Sequence, residues 1–128
     1  MNKISQLVAR IFLGQIFLIS GLLKISGYEG TQGYMEAMGV PGMLLPLVIA
    51  LEVVGGLAIV TGWQTKLVSM ALAVFTLAAA MIFHSNFSDQ IQLIMFMKNI
   101  AITGGFTLLI VYGAGAYSID GYRIKPYR

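Results

Sequence analysis

Four long apolar runs, each close to the roughly 20 residues that a helix needs to cross a bilayer, decide most of what this 128-residue chain can become. They cover residues 4–25, 43–62, 67–83 and 91–112. The first carries Arg10 and, near its end, Lys24; the second carries only Glu52; the third has no charge; the fourth carries Lys98. The chain is 58% hydrophobic and 10% charged, too few charges to cover such runs in water. Soluble domains run at about 45–50% apolar and about 25% charged. In lipid the backbone must satisfy its own polar groups, which favours helices, and no alternating pattern of barrel strands is visible. The expectation is an all-α integral membrane four-helix bundle, a single domain over residues 1–128.

The connections support this division. Gly27, Gly30, Gly33, Gly39, Pro41 and Gly42 break the chain between the first two runs. Pro46 suits the first turn of the second helix, where a missing N–H is harmless. Residues 62–66 form a short turn that makes the second and third helices antiparallel neighbours. The first run is read as a retained helix rather than a cleaved signal, because it ends Ser20-Gly21-Leu22-Leu23-Lys24 with no small-x-small site. Four spans put both termini on one side. Lys3, Arg10, Lys66, Arg123, Lys125 and Arg128 gather there, whereas the other two loops hold Glu29, Glu36 and Asp89. The positive-inside rule therefore places both termini in the cytoplasm. Trp63, Tyr112, Tyr117 and Tyr122 suit the inner interface, Tyr28 and Tyr34 the outer one.

Composition also narrows the chemistry. There is no cysteine, so this chain alone carries no thiolate metal site, iron–sulfur cluster or disulfide exchange. A single histidine leaves little for a transition metal, and no metal site is expected. Eight basic residues are too few for a nucleic-acid surface. The eight methionines read as lipid-facing or core filler.

Ionisable groups inside the runs are the candidates for function. A charge at mid-bilayer costs at least about 2.5–3.5 kcal/mol and needs a partner. Arg10, Gly14, Phe17, Gly21 and Lys24 recur at helical spacing and share one face, on which Gly14 and Gly21 admit a close neighbour. Glu52, Gly55, Gly56 and Ile59 lie together on the second helix. Lys98, Gly105 and Tyr112 share a face of the fourth, flanked by Asn99, with Gly104 as a further packing glycine. At 1.5 Å per residue Glu52 sits about 15 Å from either surface, within the plausible reach of Arg10, of Lys98, or of both. Such a pair is either a helix staple or part of a polar site. The surplus of buried positive charge tilts the reading toward an anionic or electron-rich ligand. His84 is either a solvated cap or a proton-handling group at a pocket mouth. Lys24 either snorkels or joins it. Lys24, His84, Lys98 and Glu52 all fall where one outward-opening cavity could collect them. Asp120, with Ser118 and Gly121, reads as a turn or cap.

The same residues carry a resemblance. Arg10-Ile-Phe-Leu-Gly14, Phe17-Leu-Ile-Ser-Gly-Leu-Leu-Lys24, Gly39-Val-Pro41, Leu51-Glu52 before Gly55-Gly56, Phe83-His84, Lys98-Asn99 before Gly104-Gly105, and Gly113 through Asp120 resemble the DoxX family over nearly the whole chain. The resemblance implies a four-helix bundle in a bacterial inner membrane and a connection to redox or sulfur metabolism. The family takes its name from a membrane subunit linked to an archaeal thiosulfate:quinone oxidoreductase. Arg10, Lys24, Glu52, His84, Lys98 and Asn99 match the family's polar signature.

Three functions compete. The first is an accessory or subunit of a quinone-linked oxidoreductase, with Lys98, His84 and Glu52 serving the two carbonyls, Phe17 or Phe83 against the ring, and electrons supplied by a partner. The second is a non-catalytic scaffold or assembly factor that uses its glycine faces to contact another membrane protein. The third is a small proton-coupled transporter, for which a homo-oligomer, a homodimer, would build a larger pathway. Nothing in the sequence resembles a nucleophile–base pair or a nucleotide loop, so an autonomous enzyme is not expected.

Overall fold

The computed structural model describes residues 2–124. Helix α1 spans Lys3–Ser26 and α2 Tyr28–Ala37; a 3-10 turn at Gly42–Leu44 leads into α3, Leu45–Thr61. Then come α4, Thr65–Phe83, α5, Gln90–Tyr112, and the short α6, Ile119–Ile124. No strand occurs among the described residues. Four of these helices, α3 together with its 3-10 turn, are long and apolar enough to cross a membrane. Their outward faces present Phe12, Leu47, Val74, Met81 and Val111, a surface suited to hydrocarbon rather than water. Lys125 and Arg128, which entered the charge count, lie outside the described residues.

Three helix ends follow local chemistry directly, and a fourth does not. Asn2 Oδ1 accepts from the N–H groups of Ile4 (2.8 Å) and Ser5 (3.2 Å) and caps α1. Gly62, at φ 74°, ends α3 in the left-handed conformation that a glycine adopts without strain. Pro46 sits in the first turn of α3, as its missing N–H requires. The exception is α4, whose own N-cap side chain makes no capping bond. Asp120 caps it from the far end of the chain, accepting from Gln64 N–H (2.9 Å) and Thr65 N–H (2.8 Å). Asp120 is thus a cap for a helix that begins 55 residues earlier, not for its own turn.

Residues 28–37 correct the sequence reading. The glycines there mark no break: the segment is helical. A glycine in a helix costs only about 1 kcal/mol relative to alanine, and tertiary packing overrides it. Here Thr31, Tyr34 and Met35, spaced three and four apart, face the rest of the protein, and Met35 is buried.

Packing is pairwise. The short turn makes α3 and α4 chain neighbours, yet the closest partners are α1 with α3 and α4 with α5. Glycine explains the first pair. A Cβ on Gly14 would meet Gly56 O at 2.8 Å, and one on Gly56 would meet Leu18 N at 2.6 Å, so the two backbones are in contact. Between the pairs lies an apolar core of Phe17, Ile59, Leu72, Phe106 and Leu109, in which the Phe17 and Phe106 rings sit 5.5 Å apart.

Helix α5 departs from expectation. Its buried residues are Asn99, Phe106 and Leu109, while Lys98 and Tyr112 are exposed. The predicted face is rotated by about one residue, because the inward anchor is the amide of Asn99 and not the charge of Lys98. Gly105 does pack, against Leu13, but Gly104 has nothing within 4 Å of a built Cβ and is not a packing glycine. Gly104→Ala is therefore expected to be neutral or to raise thermal stability, by up to about 1 kcal/mol in detergent unfolding.

Candidate functional site

The α1–α3 register separates the buried Arg10 from the half-buried Lys24. Gly14 lies against Val60 and Gly56, and Gly21 against Val53 and Glu52. Arg10, one turn before Gly14, therefore comes level with the end of α3, and a Cβ on Gly62 would meet its Nη1 at 2.7 Å. Glu52 is ten residues from Gly62 along α3, about 15 Å away. Arg10 is fully buried and donates to Ile59 O (3.3 Å), Val60 O (2.8 Å) and Tyr117 O. It holds the last carbonyls at the C-terminal end of α3, where a cation is favoured, and ties them to the segment before α6. Arg10 thus meets backbone carbonyls and not Glu52.

Glu52 instead meets Lys24. Lys24 Nζ lies 2.8 Å from Glu52 Oε1; the carboxylate side chain is 5% exposed and the lysine side chain 29%. This corrects the expectation that Arg10 or Lys98 would partner Glu52. Arg10 is excluded by register, being at the far end of α3, and Lys98 Nζ contacts Met95 Sδ, at 3.7 Å, instead. Lys24 does not simply snorkel to the surface; it reaches one turn inward to the carboxylate.

The pair sits in the wall of a cavity of about 340 Å³ between the two helix pairs. Every residue of the candidate polar cluster except Arg10 lines it: Lys24, Glu52, His84, Lys98 and Asn99. Asn99 is fixed by donating Nδ2–H to Thr76 O at 3.1 Å. His84 ends α4, and its Nδ1 is 3.0 Å from Gln92 Oε1, so the ring is oriented from α5. Phe17 and Phe83 both contribute to the lining, Phe83 stacked on Tyr34 at 5.4 Å. Helix α2 roofs the cavity with Thr31, Tyr34 and Met35. Beneath it, Ile59, Leu72 and Phe106 have no exposure and seal it from the Arg10 end.

Sequence reasoning missed Ser20, Thr31, Tyr34 and Thr76, all in the lining. Thr76 carried a readable signal. With Thr65, Ser69 and Ala80 it recurs at spacings of four and seven on α4, and all four are buried. A polar stripe in a helix whose one charge, Lys66, lies in its first turn marks an inward face as surely as a charge does.

A family model described as DoxX matches residues 5–85. The chain belongs to the DoxX family. "Inner membrane protein YqjF" of Escherichia coli (strain K12) is 54% identical over 94% of this chain and 92% of its own. "Inner membrane protein YphA" of the same organism is 37% identical over 89% of this chain and 86% of its own. CatD of Bacillus subtilis (strain 168), whose name provisionally calls it an oxidoreductase, is 32% identical over 81% and 84%. No solved structure matches the chain. The DoxX match runs from α1 through α4, so it contains Lys24, Glu52 and His84, while Lys98 and Asn99 lie beyond it.

Proposed function

We propose that this DoxX protein is the membrane-embedded, ligand-binding accessory of a redox system and that its cavity takes a lipid-soluble carbonyl ligand of the quinone class. The observation that carries this reading is the convergence of Lys24, Glu52, His84, Lys98 and Asn99 on one otherwise apolar cavity. A quinone needs an apolar slot with a few well-placed polar groups, the general form of a small-molecule site. Lysine ammonium groups suit electron-rich carbonyl oxygens, and a histidine and a carboxylate suit the protons that accompany reduction. A bound quinone would supply two-electron, two-proton chemistry; Lys24 and Lys98 would orient it, and Glu52 and His84 would hold or pass protons. Electrons come from a partner oxidoreductase. The name of CatD supports the redox part of this reading. We place the protein in a bacterial inner membrane, as the names of YqjF and YphA suggest, with both termini cytoplasmic and the cavity in the outer half.

Two features weigh against the other readings. Gly14, Gly21 and Gly56 are engaged between α1 and α3, and Gly55 against Leu72, so they offer no face to a scaffold partner. The sealed layer below the cavity interrupts any path for a transported solute.

The decisive experiment is gentle purification from native membranes followed by extraction and mass spectrometry of bound quinones. Wild-type protein is expected to carry near-stoichiometric quinone. Lys98→Met, which removes an exposed side chain whose hydrogen-bond partner among the described residues is a thioether, is expected to unfold at the wild-type temperature and retain about tenfold less quinone. A folded wild-type protein free of quinone would overturn the reading.

A further inference from the structure

The cavity has two chemically different sides, and two contacts define them. Leu13 packs on Gly105 and closes the seam between α1 and α5 at mid-height. Two turns further toward α2, at equal steps along both helices, Ser20 stands level with Lys98, and both line the cavity. On the opposite side Leu72 packs on Gly55 and closes the seam between α3 and α4. Two turns further toward α2, Val48 stands level with Ala79, and both line the cavity too. The α1–α5 side carries the polar groups Ser20, Lys24, Lys98 and Asn99 among Ile16, Phe17 and Ile102. Beyond Glu52, the α3–α4 side presents Val48, Phe75, Ala78, Ala79 and Ile82, while the Thr76 hydroxyl is bonded back to Leu72 O and the His84 ring is engaged by Gln92 of α5.

Ala78 and Ile82 also lie on the outer surface, Ile82 at 41% exposure. On this side one layer of side chains, thinnest at Ala78 and Ala79, separates cavity from lipid. Lys98 is likewise exposed, but a wall that carries an ammonium and a hydroxyl does not favour the passage of a hydrocarbon chain. The cavity, at about 340 Å³, is near the lower end of small-molecule pockets, which run from about 300 to 1,000 Å³. It suits a substituted ring and a short stub of chain, and a long chain must leave it.

We infer that the ligand is an amphiphile that arrives from the bilayer through the α3–α4 seam, with its polar head on the Lys24–Lys98 side and its apolar chain passing Val48 and Ala79 into lipid. This deepens the quinone reading and rests on it. It assigns to Ala78 and Ala79 a selective role: small side chains leave room for a tail.

The test uses the full-length protein in liposomes and two probes, a tetramethyl-benzoquinone without a tail and a benzoquinone bearing a decyl chain. Binding is measured by quenching of protein fluorescence and expressed against probe concentration in the lipid, so that partitioning is removed. With partitioning removed, wild type is expected to bind the two probes within about threefold of each other, because a tail lying in the seam only passes from one apolar surrounding to another. Ala78→Trp, which fills the seam, is expected to weaken the decyl probe by about tenfold or more and to leave the tailless probe near wild type, and Phe12→Trp, on an exposed face of α1 outside the cavity lining, to change neither. Ala78→Leu gives a graded version of the same block, so loss of folding in one variant does not end the test. If Ala78→Trp weakens both probes alike or neither of them, or Phe12→Trp weakens the decyl probe as much as Ala78→Trp does, the seam assignment falls while the pocket reading stands. If neither probe binds the folded protein, both fall together.

Discussion

Gly56→Ala is expected to be among the most damaging single methyl additions in this protein. The new Cβ would stand 2.6 Å from Leu18 N, 2.9 Å from Gly14 O and 3.0 Å from Leu18 Cα. All three are backbone atoms, so no rotamer change relieves the contact; α1 and α3 must move apart. Overpacking a well-filled core costs about 1–3 kcal/mol, and a backbone-on-backbone clash belongs at or above the top of that range. The separation also opens the register that brings Lys24 to Glu52. Thermal unfolding in detergent should show a loss of about 3 kcal/mol together with loss of cavity ligand. The neutral Gly104→Ala is the matched control, since it adds the same atom to a helix of similar length with no neighbour. Near-wild-type stability of Gly56→Ala would mean that the α1–α3 contact is looser than its geometry implies.

The contrast between these glycines shows what the sequence could convey. The face Arg10, Gly14, Phe17, Gly21 is buried as its spacing indicates, and so is the face Glu52, Gly55, Gly56, Ile59. Helical periodicity assigns such faces well where glycine and charge coincide, because both are unfavourable against lipid. It failed on α5, where Lys98 drew the inward face toward itself and the anchor was Asn99. A lysine reaches several ångströms from its helix axis and tolerates an exposed position, whereas an amide needs a local partner, here Thr76 O. The ion pair was unreadable for a different reason. Depth in the membrane places Glu52 near several cations, and only the register of α1 on α3 selects Lys24. That register is set by which glycine meets which carbonyl, information that lies between helices and not along any one. The helical roof at 28–37 was hidden because its stabilisation is tertiary. The Asp120 cap was hidden because its partners lie 55 and 56 residues away.

Lys24 and Glu52 provide the prediction that separates staple from site. Lys24→Met strands a carboxylate whose side chain is 5% exposed, and breaking a buried pair in this way costs about 3–5 kcal/mol. Glu52→Gln should cost less, because the remaining lysine is 29% exposed and can turn toward the cavity mouth. The double variant Lys24→Met with Glu52→Gln leaves no unpaired charge and should recover most of the stability, giving a coupling energy of about 2 kcal/mol or more. Stability alone would then describe a helix staple. Quinone content decides the rest, because a merely structural pair predicts that ligand returns whenever stability does. If the pair belongs to the site, the stable double variant should remain empty: its thioether and amide restore the packing but supply neither the ammonium that meets a carbonyl oxygen nor the carboxylate that holds a proton. Ligand returning with stability would assign Lys24 and Glu52 to the fold and leave Lys98, His84 and Asn99 as the polar groups of the cavity.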